Sequence, residues 1–573
     1  MPTKRKSKVE SSEIPMDELF IGIVKAIGTE LKYIDNELRD LLHLAGYQVV
    51  EINLAKYLPE LEPKSIKKKS YEYFNQKMNG GNTLRETFGG DFLALRGVEE
   101  IAQTRDGIFA STHSKGERLR YAYLIDDIVH PEEVHTLRAI YGPHLFLVSV
   151  YQDENIRRKN LLEKLQGNGN RADEKLKGLV NELMRRDRGA MAESHHISID
   201  KTFHLGDVFI DVGNPKRRKH AKHEGEKEAL AANEPKVGLS TSTLRRMFEQ
   251  IFSGTRHEPS KHEVAMSYAH TAALRSGSLA RRVGAAIVTP DGTVLATGYN
   301  EVAAPGGGQY PVQRNDGVEL DARDGQYTPH LENFELDEKY GYDSNDLIKY
   351  QIFEDLIAKL KKIKQIPETV EAWDLIDADT SGPEGRILRS ADLFDVVEYS
   401  RTVHAEMSAL MSALRHGVSV RGCYLYTTTF PCHECARHIV AAGIDRVVYQ
   451  EPYPKSRVKA LHEDSIVLGQ RKHNKRKRDR REVEFIPFIG ISLSRQRELF
   501  SAVKRKHNFG DVFPPGQAMA AIDSTAITPH ATLRWESVHD YMHTLLYKQR
   551  EIAEGLALKS LDEMVERESD QSA

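Results

Sequence analysis

Apolar and polar positions in the first 214 residues follow the periods of strands and helices in turn. The apolar run at 19–24 predicts a short strand. Five leucines and isoleucines then recur at helical spacing: Leu31, Ile34, Leu38, Leu41 and Leu42. Gly46 is placed to end that helix. Further apolar runs predict four more strands: 47–54, 121–126, 144–151 and 203–212. The strand–helix–strand order predicts an α/β domain with a mostly parallel sheet. The charged residues at 153–190 predict exposed helices.

The second half also alternates predicted helices and strands. A helical segment at 243–275 precedes two strands joined by Pro290-Asp291-Gly292, a sequence typical of a hairpin turn. After that hairpin come predicted helices at 403–416 and 432–442, strands at 422–430 and 445–450, and a strand–helix pair within 485–503. A final amphipathic helix is predicted at 536–563.

Shifts in composition divide the chain into five predicted parts. Residues 215–236 carry scarcely any bulky apolar side chains, which is typical of a linker. The parts are a disordered tail (1–15), an α/β domain (16–214), a charged linker (215–240), a second domain (241–530, with an insertion at 305–398) and a C-terminal helix and tail (531–573).

Composition narrows the class of protein. With 81 Lys+Arg against 84 Asp+Glu in 573 residues, the net charge of −3 gives no global basic field for nucleic acid. Three cysteines exclude a disulfide scaffold and suit a reducing compartment. No apolar run approaches the roughly 18 residues needed to cross a bilayer, and the N-terminus lacks the apolar core of a secretory signal. We expect a cytoplasmic protein that does not enter a membrane.

Two short motifs carry the candidate chemistry. Residues 404–406 read His-Ala-Glu, and residues 431–435 read Pro-Cys-His-Glu-Cys. The imidazole of His404 and the thiolates of Cys432 and Cys435 would supply three Zn²⁺ ligands and leave a fourth position for water, as in catalytic zinc sites. Both motifs lie at predicted helix starts, where the helix dipole favours thiolates. Glu406 is not a ligand in this arrangement and would be placed to exchange protons with metal-bound water.

The other polar residues of these segments have plainer interpretations. A Cys-x-x-C pair alone also occurs in redox and structural sites, but the chain has no second pair to close a four-thiolate site. Cys423 lies in a predicted core strand, where we expect it to be buried as a small apolar side chain. We expect His433 and Glu434 to point outwards, without a role.

The order of the two motifs is the known signature of zinc nucleobase deaminases. The chain also resembles the deoxycytidylate deaminase family over three segments: 276–300, 399–410 and TTTFPCHECARHIVAAGIDRVVYQEPYP at 427–454. The resemblance implies a cytidine-deaminase-like α/β/α domain with a mixed central sheet. It also implies zinc on His404, Cys432 and Cys435, with Glu406 as the proton shuttle.

Substrate contacts are implied by the same resemblance. Asn300 matches the asparagine of the family's Gly-Tyr-Asn motif, which contacts the nucleoside, although Glu301 stands where the family usually has Gly. Arg281 and Arg282 are either solvated surface charges or candidates for a substrate phosphate, with Arg282 as the candidate.

The N-terminal domain resembles P-loop nucleoside-monophosphate kinases. Residues 22–29, Gly-Ile-Val-Lys-Ala-Ile-Gly-Thr, occupy the strand–loop–helix position where such kinases bind phosphate. The loop has one residue more than the usual motif and no Lys before its Thr. The resemblance implies nucleotide contacts from Gly22, Gly28 and Thr29, and Mg²⁺ at Asp126 or Asp127; the segment 157–188 resembles a lid. Without the loop lysine, we expect nucleotide sensing or scaffolding rather than phosphoryl transfer.

A kinase-like half joined to a deaminase half resembles the bacterial anti-phage dCTP deaminases. This resemblance implies conversion of dCTP to dUTP, and of dCMP to dUMP, with release of ammonia, which drains a nucleotide that the phage needs. It also implies a homo-oligomer and, in some systems, a small regulatory RNA. The basic segments 216–222 and 471–481 are either RNA contacts or solvated loops.

Two alternative functions stay open. A polynucleotide cytosine or adenine deaminase would need a basic, aromatic groove, and 305–398 has no clear basic stripe. A nucleotide-sensing interaction protein with a vestigial deaminase is opposed by the intact metal ligands and Glu406.

Overall fold

The computed structural model contains two central β-sheets. It describes residues 16–59, 66, 70–111, 119–166, 174–189, 196–213, 235–253, 258–278, 281–309, 313–315, 318–320, 344–376, 391–396, 399–452, 456–469 and 482–500. The predicted tail at 1–15, both basic segments and the predicted helix at 536–563 lie outside the described residues, as does nearly all of the predicted linker.

The first sheet is built almost entirely from the N-terminal half. Its strands are β1 (Met16–Lys25), β2 (Gln48–Asn53), β3 (Leu119–Ile128), β4 (Leu145–Tyr151), β5 (Val208–Asp211) and the distant β16 (Gly490–Ile491). Their order is β16-β5-β4-β1-β3-β2. The first five strands run parallel, and β16 pairs antiparallel with β5. The predicted parallel sheet is therefore confirmed.

Helices cover both faces of this sheet. They are α1 (Lys32–Leu44), α2 (Tyr71–Phe88), α3 (Phe92–Ser111), α4 (Pro131–Tyr141), α5 (Glu154–Gln166), α6 (Glu174–Arg188), α7 (Ile199–Phe203) and α8 (Pro235–Ser253). Because side chains alternate along a strand, Phe20 and Val24 of β1 pack with α3 and α4, while Ile21 and Ile23 pack with α1 and α8. The strands are thus buried on both faces, which explains their continuous apolar runs.

The second sheet is mixed. Its strands are β6 (Gly284–Val288), β7 (Val294–Tyr299), β12 (Tyr424–Thr429), β13 (Arg446–Glu451), β14 (Ile466–Leu468) and β15 (Val483–Pro487), in the order β14-β15-β13-β12-β6-β7. β6 pairs antiparallel with β7 and β12, whereas β12, β13, β15 and β14 run parallel. Between them lie the short strands β8 (Glu301–Val302), β9 (Gln313–Asn315), β10 (Val318–Leu320) and β11 (Thr402–Val403).

The helices of the second half complete an α/β/α arrangement. They are α9 (Lys261–Ala273), α10 (Ser344–Lys362), α11 (Ala372–Ile376), α12 (Ala405–Arg415), α13 (His433–Ala441), α14 (Val458–Leu461) and α15 (Leu493–Leu499). Helix α9 packs on one face of the sheet, and α12 and α13 pack on the other. The mixed α/β fold expected for this half is confirmed.

The two sheets are joined by a short stretch of chain. β15 belongs to the second sheet and ends at Pro487, and β16 begins at Gly490 in the first sheet. The N–H of Ile491 donates to Glu263 of α9 (2.7 Å), and Glu263 also pairs with Arg246 of α8. The strand predicted within 485–503 is therefore split between two sheets.

Three other predicted segments differ in detail. Residues 203–212 form a strand only from Val208, because α7 ends at Phe203 and Gly206 passes against Ser149 of β4. The segment 243–275 is two helices, and the first begins at Pro235, within the predicted linker. Helices α5 and α6 are only partly exposed, because Leu161 and Met184 pack together.

No helix among the described residues is both long and apolar enough to span a bilayer.

Close packing of α9 on β6 gives a first test. A Cβ on Gly284 would overlap the carbonyl oxygen of Ala269 and lie 2.6 Å from the nitrogen of Ala273. We expect Gly284→Ala to lower the free energy of unfolding by about 3 kcal/mol or more, because neither obstacle is a flexible side chain. Urea denaturation followed by circular dichroism measures this.

The matched control is Gly178→Ala in α6, where nothing lies within 4 Å. It should stabilise by about 0.5–1 kcal/mol. Equal stability of the two variants would contradict the close contact between α9 and β6.

Candidate active site

His404 stands at the start of α12. It is the residue before the helix, and its carbonyl accepts the N–H of Ser408 (2.8 Å). Upstream, β11 pairs with β8, so that Val403 lies opposite Glu301. β7 approaches the helix so closely that a Cβ on Gly298 would overlap the backbone of Ala405 and Ala409. The β7–β8 segment therefore fixes the position of the first turn of α12.

The cysteine pair stands at the start of α13. Cys432 caps this helix, and its Sγ accepts the N–H of Cys435 (3.5 Å). Both predicted motifs thus lie at helix N-termini. Pro431 lies one residue before the cap and is therefore outside the first helical turn.

The three expected metal ligands come together. Nδ1 of His404 lies 3.2 Å from Sγ of Cys432 and 3.5 Å from Sγ of Cys435. All three ligand atoms lie within 4.8 Å of one another. Zinc–sulfur bonds of about 2.3 Å and zinc–nitrogen bonds of about 2.0 Å at a tetrahedral angle place such atoms about 3.5 Å apart. The residues therefore fit a zinc ion.

The charges of this group also suit a cation. Hydrogen bonds from Cys435 and His404 lower the pKa of Cys432 to about 4, and the hydrogen bond to Cys432 raises the pKa of His404 to about 9. The pKa of Cys435 is raised well above its ordinary value by its hydrogen bond to Cys432 and by burial. Without a metal, the thiolate is thus balanced by protons on its neighbours, which a metal ion would displace.

Glu406 lies beside the ligands in the first turn of α12. It is 4% exposed, and burial raises its pKa to about 7. It shares a hydrogen bond with Cys435. A carboxyl group buried next to a metal-binding triad is placed to exchange protons with a molecule held there.

The other residues of the motif segments are placed as follows. Cys423 is buried, as predicted. Glu434 pairs with Arg437 (2.8 Å) on the surface of α13. His433 is only partly exposed and its Nδ1 is buried, which differs from the outward position expected from the sequence.

The side chain of Asn300, a predicted substrate contact, forms two hydrogen bonds to the backbone. Its Oδ1 accepts the N–H of Val283 (2.7 Å), and its Nδ2 donates to the carbonyl of Arg281 (2.8 Å). Asn300 therefore ties the segment before β6 to the end of β7, one residue from the pair of Glu301 and Val403. Arg282 is exposed.

Sequence reasoning missed Glu451, the last residue of β13. Its Oε1 lies 3.0 Å from Nη1 of Arg281, and Thr429 donates to its Oε2 (3.4 Å). Burial raises its pKa to about 7. The available signal was its place at the carboxyl end of a strand parallel to β12, which leads to Cys432.

The predicted nucleotide residues of the N-terminal half are only partly brought together. Gly22 lies inside β1, and a Cβ there would meet Ile128 (2.7 Å) and Leu147 (2.8 Å). It therefore serves packing and is not part of the loop after the strand, which corrects its expected place. Gly28, with φ +87°, and the buried Thr29 do lie in that loop, and no described residue bonds Thr29 Oγ1.

The loop is engaged by the chain's own side chains. The N–H of Ile27 donates to Oδ2 of Asp187 (2.7 Å), and Arg157 donates to the carbonyl of Ile27 (3.2 Å). Lys25 forms ion pairs with Asp126 and, at 2.9 Å, with Asp127. A carboxylate thus stands where an anion would bind, and the two predicted Mg²⁺ ligands are paired with a lysine.

Comparison with known proteins finds similarity within the second half. Residues 259–451 match the profile of the family described as the cytidine and deoxycytidylate deaminase zinc-binding region. Deoxycytidylate deaminase of Enterobacteria phage T2 is 42% identical over 55 residues, which are 10% of this chain and 29% of that protein. ComE operon protein 2 of Bacillus subtilis (strain 168) is 43% identical over 54 residues, 9% of this chain and 29% of that protein.

Among solved structures, dCMP deaminase from the cyanophage S-TIM5 in complex with dCMP and dUMP is 16% identical, with a TM-score of 0.20; the match covers 41% of this chain and 100% of that chain. The chain spans less than a third of the length of these two curated relatives. Residues 259–451 of this chain are therefore similar to the zinc-binding region of that family.

The geometry predicts which cysteines the protein needs in order to retain zinc. We expect Cys432→Ala and Cys435→Ala each to weaken zinc binding at least about hundredfold, because each removes a direct ligand. Cys423→Ala removes an equally buried thiol outside the triad and should retain stoichiometric zinc. Mass-spectrometric metal analysis after dialysis against a weak chelator measures all three; full zinc retention by Cys435→Ala would rule out the triad.

Proposed function

We propose that this protein deaminates free deoxycytidine nucleotides by hydrolysis, converting dCTP to dUTP and dCMP to dUMP with release of ammonia. The observation that carries the proposal is the convergence of His404, Cys432 and Cys435 beside the buried carboxyl group of Glu406. Three ligands leave one tetrahedral position open, as hydrolysis requires.

A zinc ion on the three ligands would supply the Lewis acidity that brings the pKa of water close to 7. Glu406 would accept the proton that water loses as its oxygen bonds to C4 of cytosine, and would deliver that proton to N3. The second water proton would pass through Glu406 to the amino group, which leaves as ammonia when the C4–N4 bond breaks. Burial of Glu406 keeps bulk water from competing for these protons.

The cellular role that we propose is depletion of dCTP in defence against phage. It is supported by the resemblance of the whole arrangement, a parallel-sheet half joined to a deaminase half. In this proposal the N-terminal half is P-loop kinase-like and acts in nucleotide sensing or as a scaffold, with a homo-oligomer and a small regulatory RNA as proposed partners. The parallel sheet covered by helices on both faces supports the kinase-like fold.

The proton-shuttle role predicts a specific loss. We expect Glu406→Gln to lower kcat by about 10³-fold or more, because the amide cannot accept a proton, while zinc content stays stoichiometric. Deamination is followed by loss of cytosine absorbance, and the metal is measured on the same sample. A cell producing this variant should also lose any protection against phage.

Glu434→Gln is the matched control. Glu434 lies between the two cysteine ligands in the sequence, but its carboxylate pairs with Arg437 at the surface. Its turnover should stay within about twofold of the native rate. Loss of zinc in Glu406→Gln would contradict the shuttle role.

The substrate class can be tested directly. We expect the zinc-loaded full chain to deaminate dCTP and dCMP and to leave dATP and single-stranded DNA unchanged, as products separated by liquid chromatography would show. Deamination of cytosine in single-stranded DNA but not in free nucleotides would replace this proposal with the polynucleotide alternative.

A further inference from the structure

An ion pair lies between the two arms that carry the metal ligands. Nη1 of Arg281 meets Oε1 of Glu451 at 3.0 Å, and the carbonyl of Arg281 accepts the amide of Asn300. Asn300 precedes Glu301, which pairs with Val403 next to His404. The Arg281 side of the pair is therefore attached to the histidine arm.

Glu451 is attached to the cysteine arm. Its side chain accepts the hydroxyl of Thr429, and its carbonyl accepts the N–H of Phe430 (2.8 Å), two residues before Cys432. The Glu451 side chain is 9% exposed and that of Arg281 is 40% exposed. The carboxylate is thus an anchor, and the guanidinium reaches into solvent beside both arms.

The guanidinium retains donors for a ligand. Among the described residues only Glu451 forms an ion pair with Arg281, through one of its two terminal nitrogens. Arginine has five N–H donors in a planar fork that matches phosphate. A carboxylate on one edge fixes the plane of the fork and leaves the other edge open.

The N-terminal half faces the same pair. Nδ1 of His204, next to the end of α7, lies 3.9 Å from Oε1 of Glu451. Asp200 of α7 interacts electrostatically with both Arg281 and Glu451. Tyr449 lies two residues before Glu451, on the same face of β13. Its hydroxyl donates to the hydroxyl of Tyr151 in the N-terminal half (3.2 Å).

We propose that Arg281 receives the phosphate of the nucleotide substrate, that Glu451 is its positioning residue, and that the N-terminal half forms the opposite wall through His204, next to the end of α7. The proposal rests on the proposed deamination of nucleotides. It transfers the expected phosphate contact from Arg282 to Arg281, and it gives the N-terminal half a direct part in substrate selection.

The test compares deoxycytidine, dCMP and dCTP as substrates of the full-length, zinc-loaded protein. Arg281→Ala should lower kcat/KM for both nucleotides by about tenfold to hundredfold, through KM, because a charge-assisted contact is lost. The value for deoxycytidine, which has no phosphate, should stay within about twofold. Glu451→Gln, and His204→Ala at the opposite wall, should raise KM for the nucleotides severalfold at nearly constant kcat, and Glu451→Asp should restore part of the loss.

Glu484→Gln is the matched control. Glu484 pairs with Arg446 (2.6 Å) at the opposite end of β13 and is equally buried, so its variant loses an ion pair of the same kind away from the metal arms. KM for the nucleotides should not change. An equal loss for deoxycytidine and nucleotides in Arg281→Ala would overturn the inference while the proposed deamination stands.

Binding separates this inference from the proposed activity. In isothermal titration, the native chain should bind dCTP more tightly than deoxycytidine, and Arg281→Ala should abolish most of the difference. If the native chain deaminates none of the three compounds, the proposed function fails, and this binding difference still decides the role of Arg281. Equal binding of both ligands by the native chain would refute it.

Discussion

The site depends on one constraint: an imidazole and two sulfur atoms from distant parts of the chain must lie within bonding distance of one ion. Each arm ends at a helix N-terminus, where the dipole stabilises thiolate charge. Backbone packing places these helices, since α12 lies against Gly298 of β7 so closely that a larger residue would displace it. The fold brings Nδ1 of His404 to 3.2 Å from Sγ of Cys432 and 3.5 Å from Sγ of Cys435, which are separations that suit ligands of one ion. The entropic cost of assembling the site is therefore met by folding.

Local patterns in the sequence were enough to predict most of the helices and strands and the three candidate metal ligands. The His-x-Glu and Cys-x-x-Cys motifs predict the metal ligands directly. The sequence Pro290-Asp291-Gly292 predicts the hairpin turn, in which Gly292 has φ +104°. Contacts between remote strands were out of reach of these patterns. Glu451 is an ordinary acidic residue in the sequence, and only the parallel pairing of β12 and β13 brings it to Thr429. Likewise, the apolar run continues through Phe488 and Ile489, so the sequence pattern does not mark the point where β15 ends and the chain crosses to the other sheet.

The N-terminal half shows how a resemblance in sequence order can overstate a site. Gly22 fits the start of a phosphate loop by spacing, yet β1 continues through it to Lys25. Beyond that strand, Asp187 already accepts the N–H of Ile27, and its pKa is raised to about 6 by burial. An anion entering the loop would have to displace this carboxylate and separate Lys25 from two aspartates. These contacts favour a structural or sensing role over phosphoryl transfer, which needs an available cation.

Charged side chains also lie between the N-terminal loop and the metal-binding half. Asp187 lies within electrostatic reach of Asp127 on one side and Asp200 on the other, and Asp200 interacts with Arg281. A series of charged groups therefore runs from the N-terminal loop to the segment that Asn300 ties to the histidine arm. The pairing of β16 with β5 and the hydrogen bond between Tyr449 and Tyr151 hold the two halves in contact. The candidate metal ligands thus lie within one half of the chain, and the ion pair of Arg281 with Glu451 is approached by His204 of the other half.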